Sequence, residues 1–236
     1  MQGVCRAVEI KAIASGSSGN CYLIDDGETR LLIEAGIQFK RIQRALEFDL
    51  QGVAACLVSH SHKDHCKAVK DLLKASIDCY MNHATAKALG ISSHHRATVV
   101  EPLQRFTVGS WAILPFDTVH DVPNMGFLLA NKAGKKLIYL TDTPYCKYTF
   151  NGLTHILVEA NYSIDMLRKN KDLDPEVKKR VIRNHFSLEN VKRFLRANDL
   201  SEVREIWLLH LSDGNSDAER FKREIQGSSG KPVYIA

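Results

Sequence analysis

Long apolar runs are missing from this sequence of 236 residues. No segment approaches the roughly 20 consecutive apolar residues that a membrane-spanning helix requires. The first residues, Met1 to Arg6, lack the basic start and apolar core of a secretory signal peptide. Neither a Gly-x-Ser-x-Gly motif nor a Walker loop occurs. We therefore expect a cytoplasmic protein without a membrane partner, and chemistry that uses neither of those two motifs.

Cysteine is present but gives no sign of pairing. None of the six cysteines forms a Cys-x-x-Cys pair, and four of them lie in apolar, strand-like surroundings. We expect these thiols to be reduced and mostly packed in the interior, as is usual for cysteines in the cytoplasm. The six are Cys5, Cys21, Cys56, Cys66, Cys79 and Cys146.

A strong excess of one charge is also missing. The 32 basic and 27 acidic residues leave a formal net charge of +5, which permits an anionic substrate but does not require nucleic acid. Hydrophobic residues make up 44% of the chain and charged residues 25%. These proportions are typical of globular proteins and argue against a disordered or fibrous chain.

The order of the apolar segments indicates an α/β fold. Strands come first, helices are then interspersed, and strands return, which favours helices packed outside two sheets. Helices are predicted over residues 67–75, just after a cluster of histidines, and over residues 215–226 near the end. No stretch rich in proline, glycine or serine divides the chain, so we expect a single domain over residues 1–236.

The strongest chemical signal is the segment His60-Ser61-His62-Lys63-Asp64-His65, which follows an apolar strand predicted over residues 54–59. Imidazole nitrogens and carboxylate oxygens are ligands of zinc and related divalent metals. The alternative is a solvated loop that is rich in histidine by chance. Four ligand-type side chains within six positions disfavour it, although this segment alone leaves open whether one metal ion or two is bound.

Three later polar residues each follow another apolar, strand-like segment, namely His120, Asp142 and His210. Taken singly, each has an ordinary interpretation, such as a capping aspartate or a histidine satisfied at a strand edge. Taken together, they favour a shared site, because metal ligands and catalytic residues often gather at one end of a sheet.

The motif His-x-His-x-Asp-His, followed by a His, an Asp and a His, resembles the ligand order of the metallo-β-lactamase superfamily over nearly the whole chain. The resemblance implies a metallo-β-lactamase-like αβ/βα four-layer sandwich. It also implies two divalent metal ions, zinc or alternatively manganese. By this resemblance the first ion is held by His60, His62 and His120, the second by Asp64, His65 and His210, and Asp142 bridges the two.

Five further segments resemble the YycJ/WalJ-type, exonuclease-like branch of that superfamily. They are Ser15-Gly16-Ser17-Ser18-Gly19-Asn20, Leu140-Thr141-Asp142-Thr143, Leu157-Val158-Glu159-Ala160-Asn161, Asn184-His185-Phe186-Ser187 and His210-Leu211-Ser212.

One departure from the superfamily concerns Glu34, because most members have an aspartate there. In the superfamily this carboxylate orients the metal-binding loop from behind the ligands, and Glu34 keeps the charge but adds a methylene. We expect a similar supporting role for Glu159 and Asn161, which follow a predicted strand.

Two metal ions about 3.5–4 Å apart can share a hydroxide and stabilise the attacking and leaving oxygens of a phosphoryl group. We expect Asp64 and His185 to be the catalytic residues, with His185 donating a proton to the leaving oxygen. The alternative for His185 is a surface histidine, since it lies in a basic stretch between two predicted helices. Ser17, Ser18 and Asn20 are candidates for binding the substrate phosphate, unless their segment is only a tight turn.

The expected function is therefore metal-dependent hydrolysis of phosphodiesters, as a nuclease similar to DNA exonucleases. The alternative is a phosphodiesterase for cyclic nucleotides or other small diesters, for example a phage enzyme that acts on signalling nucleotides. Lactam or thioester hydrolysis, and a non-catalytic scaffold with a decayed site, are further alternatives that metal content and substrate assays would separate. The sequence also leaves open whether the chain forms a homodimer.

Overall fold

The structure is a computed structural model, and it describes residues 7–236 of the chain. Two predictions concern earlier residues, namely the reduced state of Cys5 and the lack of a signal peptide at the start. Both lie outside the described residues. Along residues 7–236, the structure contains thirteen β-strands and eight α-helices.

The first sheet has six strands in sequence order. Strands β1 and β2 and strands β2 and β3 pair antiparallel, whereas β3, β4, β5 and β6 run parallel to one another. The strands are β1 (Glu9–Ala14), β2 (Cys21–Asp25), β3 (Arg30–Ile33), β4 (Val53–Leu57), β5 (Asp78–Met81) and β6 (Ala97–Val99).

The second sheet has seven strands, again in sequence order, with β7 at one edge and β13 at the other. Strands β7 and β8 are antiparallel, and β10, β11, β12 and β13 are parallel. The strands are β7 (Phe106–Val108), β8 (Trp111–Thr118), β9 (Asn124–Asn131), β10 (Lys136–Leu140), β11 (His155–Glu159), β12 (Glu205–Leu209) and β13 (Val233–Ile235).

The helices follow the strands in two sets. The first set is α1 (Phe39–Ala45), α2 (Lys63–Cys66), α3 (Val69–Lys74) and α4 (His83–Ala88). The second set is α5 (Ile164–Lys169), α6 (Pro175–Asn184), α7 (Leu188–Ala197) and α8 (Ala218–Ser229). None of the described helices is long and apolar enough to cross a membrane.

The chain divides into two compact units, Met1–Phe116 with Leu129–Lys135, and Asp117–Leu128 with Lys136–Ala236. In the first unit, apolar side chains of β2–β5 and of helices α1–α4 form a buried cluster that includes Leu32, Ile42 and Leu72. The prediction of a single domain stays a prediction.

In the second unit, the central strand β11 is buried along its whole length, and β10 is buried at all but its first residue. Near-continuous apolar sequence is the expected signature of such strands. Helix α7 buries Leu188, Val191, Phe194 and Leu195, a helical spacing that places them on one face. Its N-cap is Ser187, whose side chain accepts a hydrogen bond from the backbone N–H of Asn190.

Candidate metal centre

The histidine segment lies at the carboxyl end of β4. His60 and His65 are buried, and their ring centroids are 4.2 Å apart. Helix α2 starts immediately after His62, so Asp64 and His65 lie in its first turn while His60 and His62 stay in the preceding loop. The helix thus turns the chain back within a few residues and keeps four ligand-type side chains together.

The spacing of the ligand atoms fits metal ions. Nε2 of His60 lies 3.1 Å from Nδ1 of His62, and Nε2 of His65 lies 3.3 Å from Oδ2 of Asp64. Two ligands of one tetrahedral zinc ion, each about 2.0–2.1 Å from it, are about 3.3 Å apart. Each pair is therefore spaced as two ligands of a common ion would be.

A buried carboxylate supports this loop from the end of the neighbouring strand β3. Glu34 is fully buried, and its oxygens accept hydrogen bonds from the backbone N–H of Ser59 at 3.3 Å. Oε1 of Glu34 also lies 3.5 Å from Nδ1 of His65. Because Nδ1 of His65 faces Glu34, its Nε2 atom is the one turned towards Asp64.

The loop is also fastened to the turn before β2. Asn20 is fully buried. Its Nδ2 atom contacts the carbonyl oxygen of Asp64 at 3.3 Å and Nε2 of His65 at 3.2 Å, and its Oδ1 accepts from the N–H of Gly16 at 3.0 Å. These contacts give Asn20 a supporting position, while its predicted contact with substrate stays a prediction. Ser17 and Ser18 are exposed in the same turn, and their predicted role is likewise untested.

In the second sheet, Asp142 follows β10 and lies between two histidines. Its Oδ2 atom is 3.8 Å from Nε2 of His120, and its Oδ1 atom is 3.3 Å from Nδ1 of His210. Nε2 of His120 also lies 3.2 Å from Oδ1 of Asp121. The two oxygens of the Asp142 carboxylate therefore face different histidines.

Glu159, at the end of β11, is the hydrogen-bonding centre of this region. Its Oε1 atom is 2.6 Å from Nδ1 of His185 and 3.0 Å from Nδ1 of His210. Its Oε2 atom accepts from the backbone N–H of Phe186 at 3.0 Å. Because an ionised carboxylate only accepts hydrogen bonds, both imidazoles donate from Nδ1, which leaves Nε2 of His210 available as a metal ligand.

Glu159 and His185 also shift each other's pKa. Burial raises the pKa of Glu159, but the positive charge of His185 and hydrogen bonds from His185 and His210 outweigh burial and hold that pKa below its usual value. Burial lowers the pKa of His185, but the carboxylates of Glu159 and Asp142 outweigh it and raise that pKa. The two groups therefore favour an ion pair, with His185 protonated.

Asn161 holds the last of these histidines in place. Its Nδ2 atom donates to the carbonyl oxygen of His210 at 2.9 Å and lies 3.4 Å from Nδ1 of the same residue.

Sequence reasoning missed the residue that supports Asp142 in the same way. Asn124 donates from Nδ2 to the carbonyl oxygens of Thr141 at 3.0 Å and of Asp142 at 2.8 Å. A lone asparagine at the start of a strand carries no signal that distinguishes it from a turn residue.

Within the second unit, four acidic and histidine side chains have ligand atoms that all lie within 4.8 Å of one another, namely Asp142, Glu159, His185 and His210.

The sequence of residues 29–210 matches the family model described as "Beta-lactamase superfamily domain". The chain belongs to this metallo-β-lactamase-fold family. Within it, the chain is similar to Exodeoxyribonuclease YycJ of Bacillus anthracis, with 27% identity over 92% of this chain and 88% of the relative. It is also similar to Exodeoxyribonuclease WalJ of Streptococcus pneumoniae strain D39, with 29% identity over 88% and 82%.

Among solved structures, the chain is similar to the metallo-β-lactamase-fold protein YhfI of Bacillus subtilis. The TM-score is 0.75 at 17% identity, and the match covers 97% of this chain and 96% of that one. The predicted metallo-β-lactamase fold, with its two mixed sheets, and the predicted YycJ/WalJ-like branch are therefore confirmed. So is the enzyme class: the chain is a metal-dependent hydrolase of the metallo-β-lactamase superfamily.

Proposed function

We propose that the chain is a two-metal phosphodiesterase that acts as a nuclease on DNA. The observation that most directly supports this proposal is the position of Asp142, because one carboxylate oxygen faces His120 and the other faces His210. A shared carboxylate between two ligand sets is what a pair of metal ions requires, and paired ions suit the displacement of an oxygen at phosphorus. The curated relatives with exodeoxyribonuclease names support DNA as the substrate.

In this proposal, seven residues hold the two ions. By the ligand order of the sequence, the first ion would be held by His60, His62 and His120, the second by Asp64, His65 and His210, and Asp142 would serve both. Zinc is the proposed metal and manganese the alternative, because ligand sets of nitrogen and oxygen without a thiolate discriminate weakly between the two.

The neighbouring thiol of Cys66 is not a ligand in this proposal. Burial raises the pKa of Cys66 to about 11, and its Sγ donates to the carbonyl oxygen of Ser61 at 3.1 Å. A metal-binding cysteine must be a thiolate. A protonated thiol that already donates to the backbone lacks that form.

The protein's own groups then divide the work. When bound, the two metal ions supply an activated water and positive charge close to the phosphoryl oxygens. Glu34 and Glu159 hold His65 and His210 by Nδ1 and so orient the opposite ring nitrogen. His185, which keeps 20% of its side chain exposed, is placed beside Asp142 to protonate the leaving oxygen.

The test combines metal content with a substrate panel. Metal-replete protein is expected to hold two ions per chain and to hydrolyse bis-p-nitrophenyl phosphate and labelled DNA. His62→Ala and Asp64→Ala should each retain less than about a thousandth of that activity. The matched control is His95→Ala, because His95 is exposed and is not one of the seven proposed ligands. Circular dichroism checks that each variant folds.

Three results would overturn the proposal. One is a metal content of one ion or none, and another is substantial turnover by either ligand variant. The third is hydrolysis of 3′,5′-cyclic nucleotides without any hydrolysis of DNA at low salt, which would make the chain a phosphodiesterase for small diesters instead.

A further inference from the structure

A groove of about 380 Å³ lies between helices α5, α6 and α7. Cavities of about 300–1,000 Å³ are the usual size of small-ligand sites. Tyr162 and Leu167 are buried, whereas Ile164 and Ile182 keep 36% and 53% of their surface exposed. The lining residues are Tyr162, Ile164, Leu167, Arg168, Lys178, Ile182, Ser187, Asn190 and Arg193.

The groove carries positive charge without a compensating carboxylate in its lining. Arg168, Lys178 and Arg193 are its charged residues, and no Asp or Glu is among the described residues that line it. Other basic residues nearby are already paired. Lys179 contacts Glu176 at 2.7 Å, and Lys192 contacts Glu224 at 2.5 Å. Neither Glu176 nor Glu224 lines the groove.

Helix α6 is unusual in how little it packs. Asn184 is its one buried residue among those described, whereas α7 buries four apolar side chains. Ile182 keeps about half of its surface exposed on this helix, so it contributes little to a core. Ile182 instead adds an apolar surface to the groove, beside the three cations.

The groove adjoins the catalytic residues of the same unit. Ser187 lines it and lies two residues after His185. Asn190 also lines it and donates from Nδ2 to the carbonyl oxygen of Pro144 at 2.8 Å. Pro144 is two residues after Asp142. Asn190 thus connects the groove by a hydrogen bond to the loop that carries Asp142. Ser187 connects it through two residues of backbone to His185, the proposed proton donor.

We propose that this groove binds the nucleotides next to the scissile phosphodiester in single-stranded DNA. A base packs on the apolar surface of Ile164 and Ile182, and neighbouring phosphates are bound by Arg168, Lys178 and Arg193. A positively charged groove that follows the backbone is one part of how proteins bind single strands without reading their sequence, and here the surface offered to the base is aliphatic. This inference rests on the proposed function, because it specifies the substrate of the same site.

The first experiment measures binding. Metal-replete protein is titrated with a fluorescent single-stranded phosphorothioate oligonucleotide at several salt concentrations. For Lys178→Ala/Arg193→Ala, we expect affinity to fall about tenfold and the slope of log affinity against log salt to decrease by about 1.4, since each phosphate contact on a single strand contributes about 0.7. Ile182→Ser should weaken binding with little change in that slope. The matched control is Arg196→Ala, an exposed cation of α7 that does not line the groove.

The second experiment separates this inference from the proposed function. For each variant, kcat/KM is measured on an unmodified oligonucleotide and on bis-p-nitrophenyl phosphate, and the ratio of the two is expected to fall about tenfold in the groove variants. If wild-type protein hydrolyses the oligonucleotide but the groove variants keep the ratio of Arg196→Ala, the groove assignment is wrong while the function stands. If wild type hydrolyses neither diester, the proposed function itself fails. Equal competition by polyglutamate of matched charge would make the groove a general anion site and also overturn the assignment.

Discussion

At the scale of single residues, two buried glutamates, one at the end of a strand in each sheet, each lie beside a histidine that is proposed as a metal ligand. Glu34 follows β3 and faces Nδ1 of His65, and Glu159 ends β11 and faces Nδ1 of His210. Glu159 accepts a hydrogen bond from Nδ1 of His210, which fixes the proton on that nitrogen and increases the basicity of the other. Glu34 lies 3.5 Å from Nδ1 of His65. The glutamate at position 34, with its extra methylene, still reaches both the loop backbone and the imidazole.

His185 differs from those histidines because it is partly exposed while its Nδ1 atom is bound by Glu159. If it protonates the leaving oxygen, His185→Ala should harm poor leaving groups selectively. General acid catalysis contributes about a hundredfold to ten-thousandfold. Turnover of a nucleotide diester should therefore fall by about that factor, whereas bis-p-nitrophenyl phosphate, whose nitrophenolate leaves unaided, should lose less than about tenfold.

The measurement is kcat on both diesters, with His95→Ala as the surface control. Equal losses on the two substrates would contradict proton donation and would make His185 a phosphate-binding or structural residue.

At the scale of elements, most strands could be predicted because buried parallel strands are short, apolar and bounded by polar residues. The helix after the histidine segment was predicted over residues 67–75, but the structure has α2 over Lys63–Cys66 and α3 over Val69–Lys74. A single turn of helix made of Lys, Asp, His and Cys has no apolar periodicity, so nothing in the sequence distinguishes it from a loop.

The last helix was predicted three residues too early. It spans Ala218–Ser229 instead of residues 215–226. Its start is set by Asp217, whose side chain accepts from the N–H of Arg220, and its end by Gly230 in the left-handed region. The glycine and serines of its last turn have low helix propensity, and the helix continues through them to its cap at Gly230.

Gly36 connects two elements of the first unit closely enough to be tested. A Cβ atom on Gly36 would lie 1.6 Å from the carbonyl oxygen of Asp64, which is backbone and cannot turn aside. Gly36→Ala should therefore displace the loop, destabilise the protein by about 1–3 kcal/mol and reduce metal content.

The same substitution at Gly227 is the control, since a Cβ there meets nothing within 4 Å. Gly227→Ala lies inside α8 and should stabilise the protein by about 0.5–1 kcal/mol. Urea unfolding and metal analysis measure both effects, and similar behaviour of the two variants would refute the packing role of Gly36.

At the scale of the whole molecule, the order of residues in the chain is enough to propose a ligand set, whereas it gives no indication of the groove. The motif residues are ligand types at strand ends, which a sequence displays directly. Arg168, Ile182 and Arg193 come from three different helices, and nothing in their spacing shows that they line one cavity. The same holds for Glu159 and His185, which are 26 positions apart and in direct contact.

Metal binding should also be visible in the stability of the whole protein. A ligand at a thousand times its Kd stabilises the folded state by about 4 kcal/mol. For a chain of this size, 1 kcal/mol corresponds to about 2–4 °C in Tm. Chelation of the ions should therefore lower Tm by roughly 8–16 °C for each site that was saturated.

Lowering the pH should reduce the difference in Tm between the metal-bound and the chelated protein. Metal ligands must be deprotonated, and protons compete with the metal for neutral imidazole and carboxylate. Thermal unfolding with and without chelator, from neutral pH downwards, measures the effect. A Tm that is unaffected by chelation at neutral pH would contradict metal binding to the folded chain.

Glu34, Asp142 and His210 share a backbone conformation that L-amino acids avoid, with φ values of 64°, 48° and 52°. Each such residue costs on the order of 1–3 kcal/mol, and glycine would remove most of that cost. Under the proposed function, the metal centre requires side chains at these three positions. In a lineage released from that demand, the backbone itself would favour replacement by glycine. Glycine at two or more of these positions is thus the expected mark of a descendant that has kept the fold and lost the chemistry.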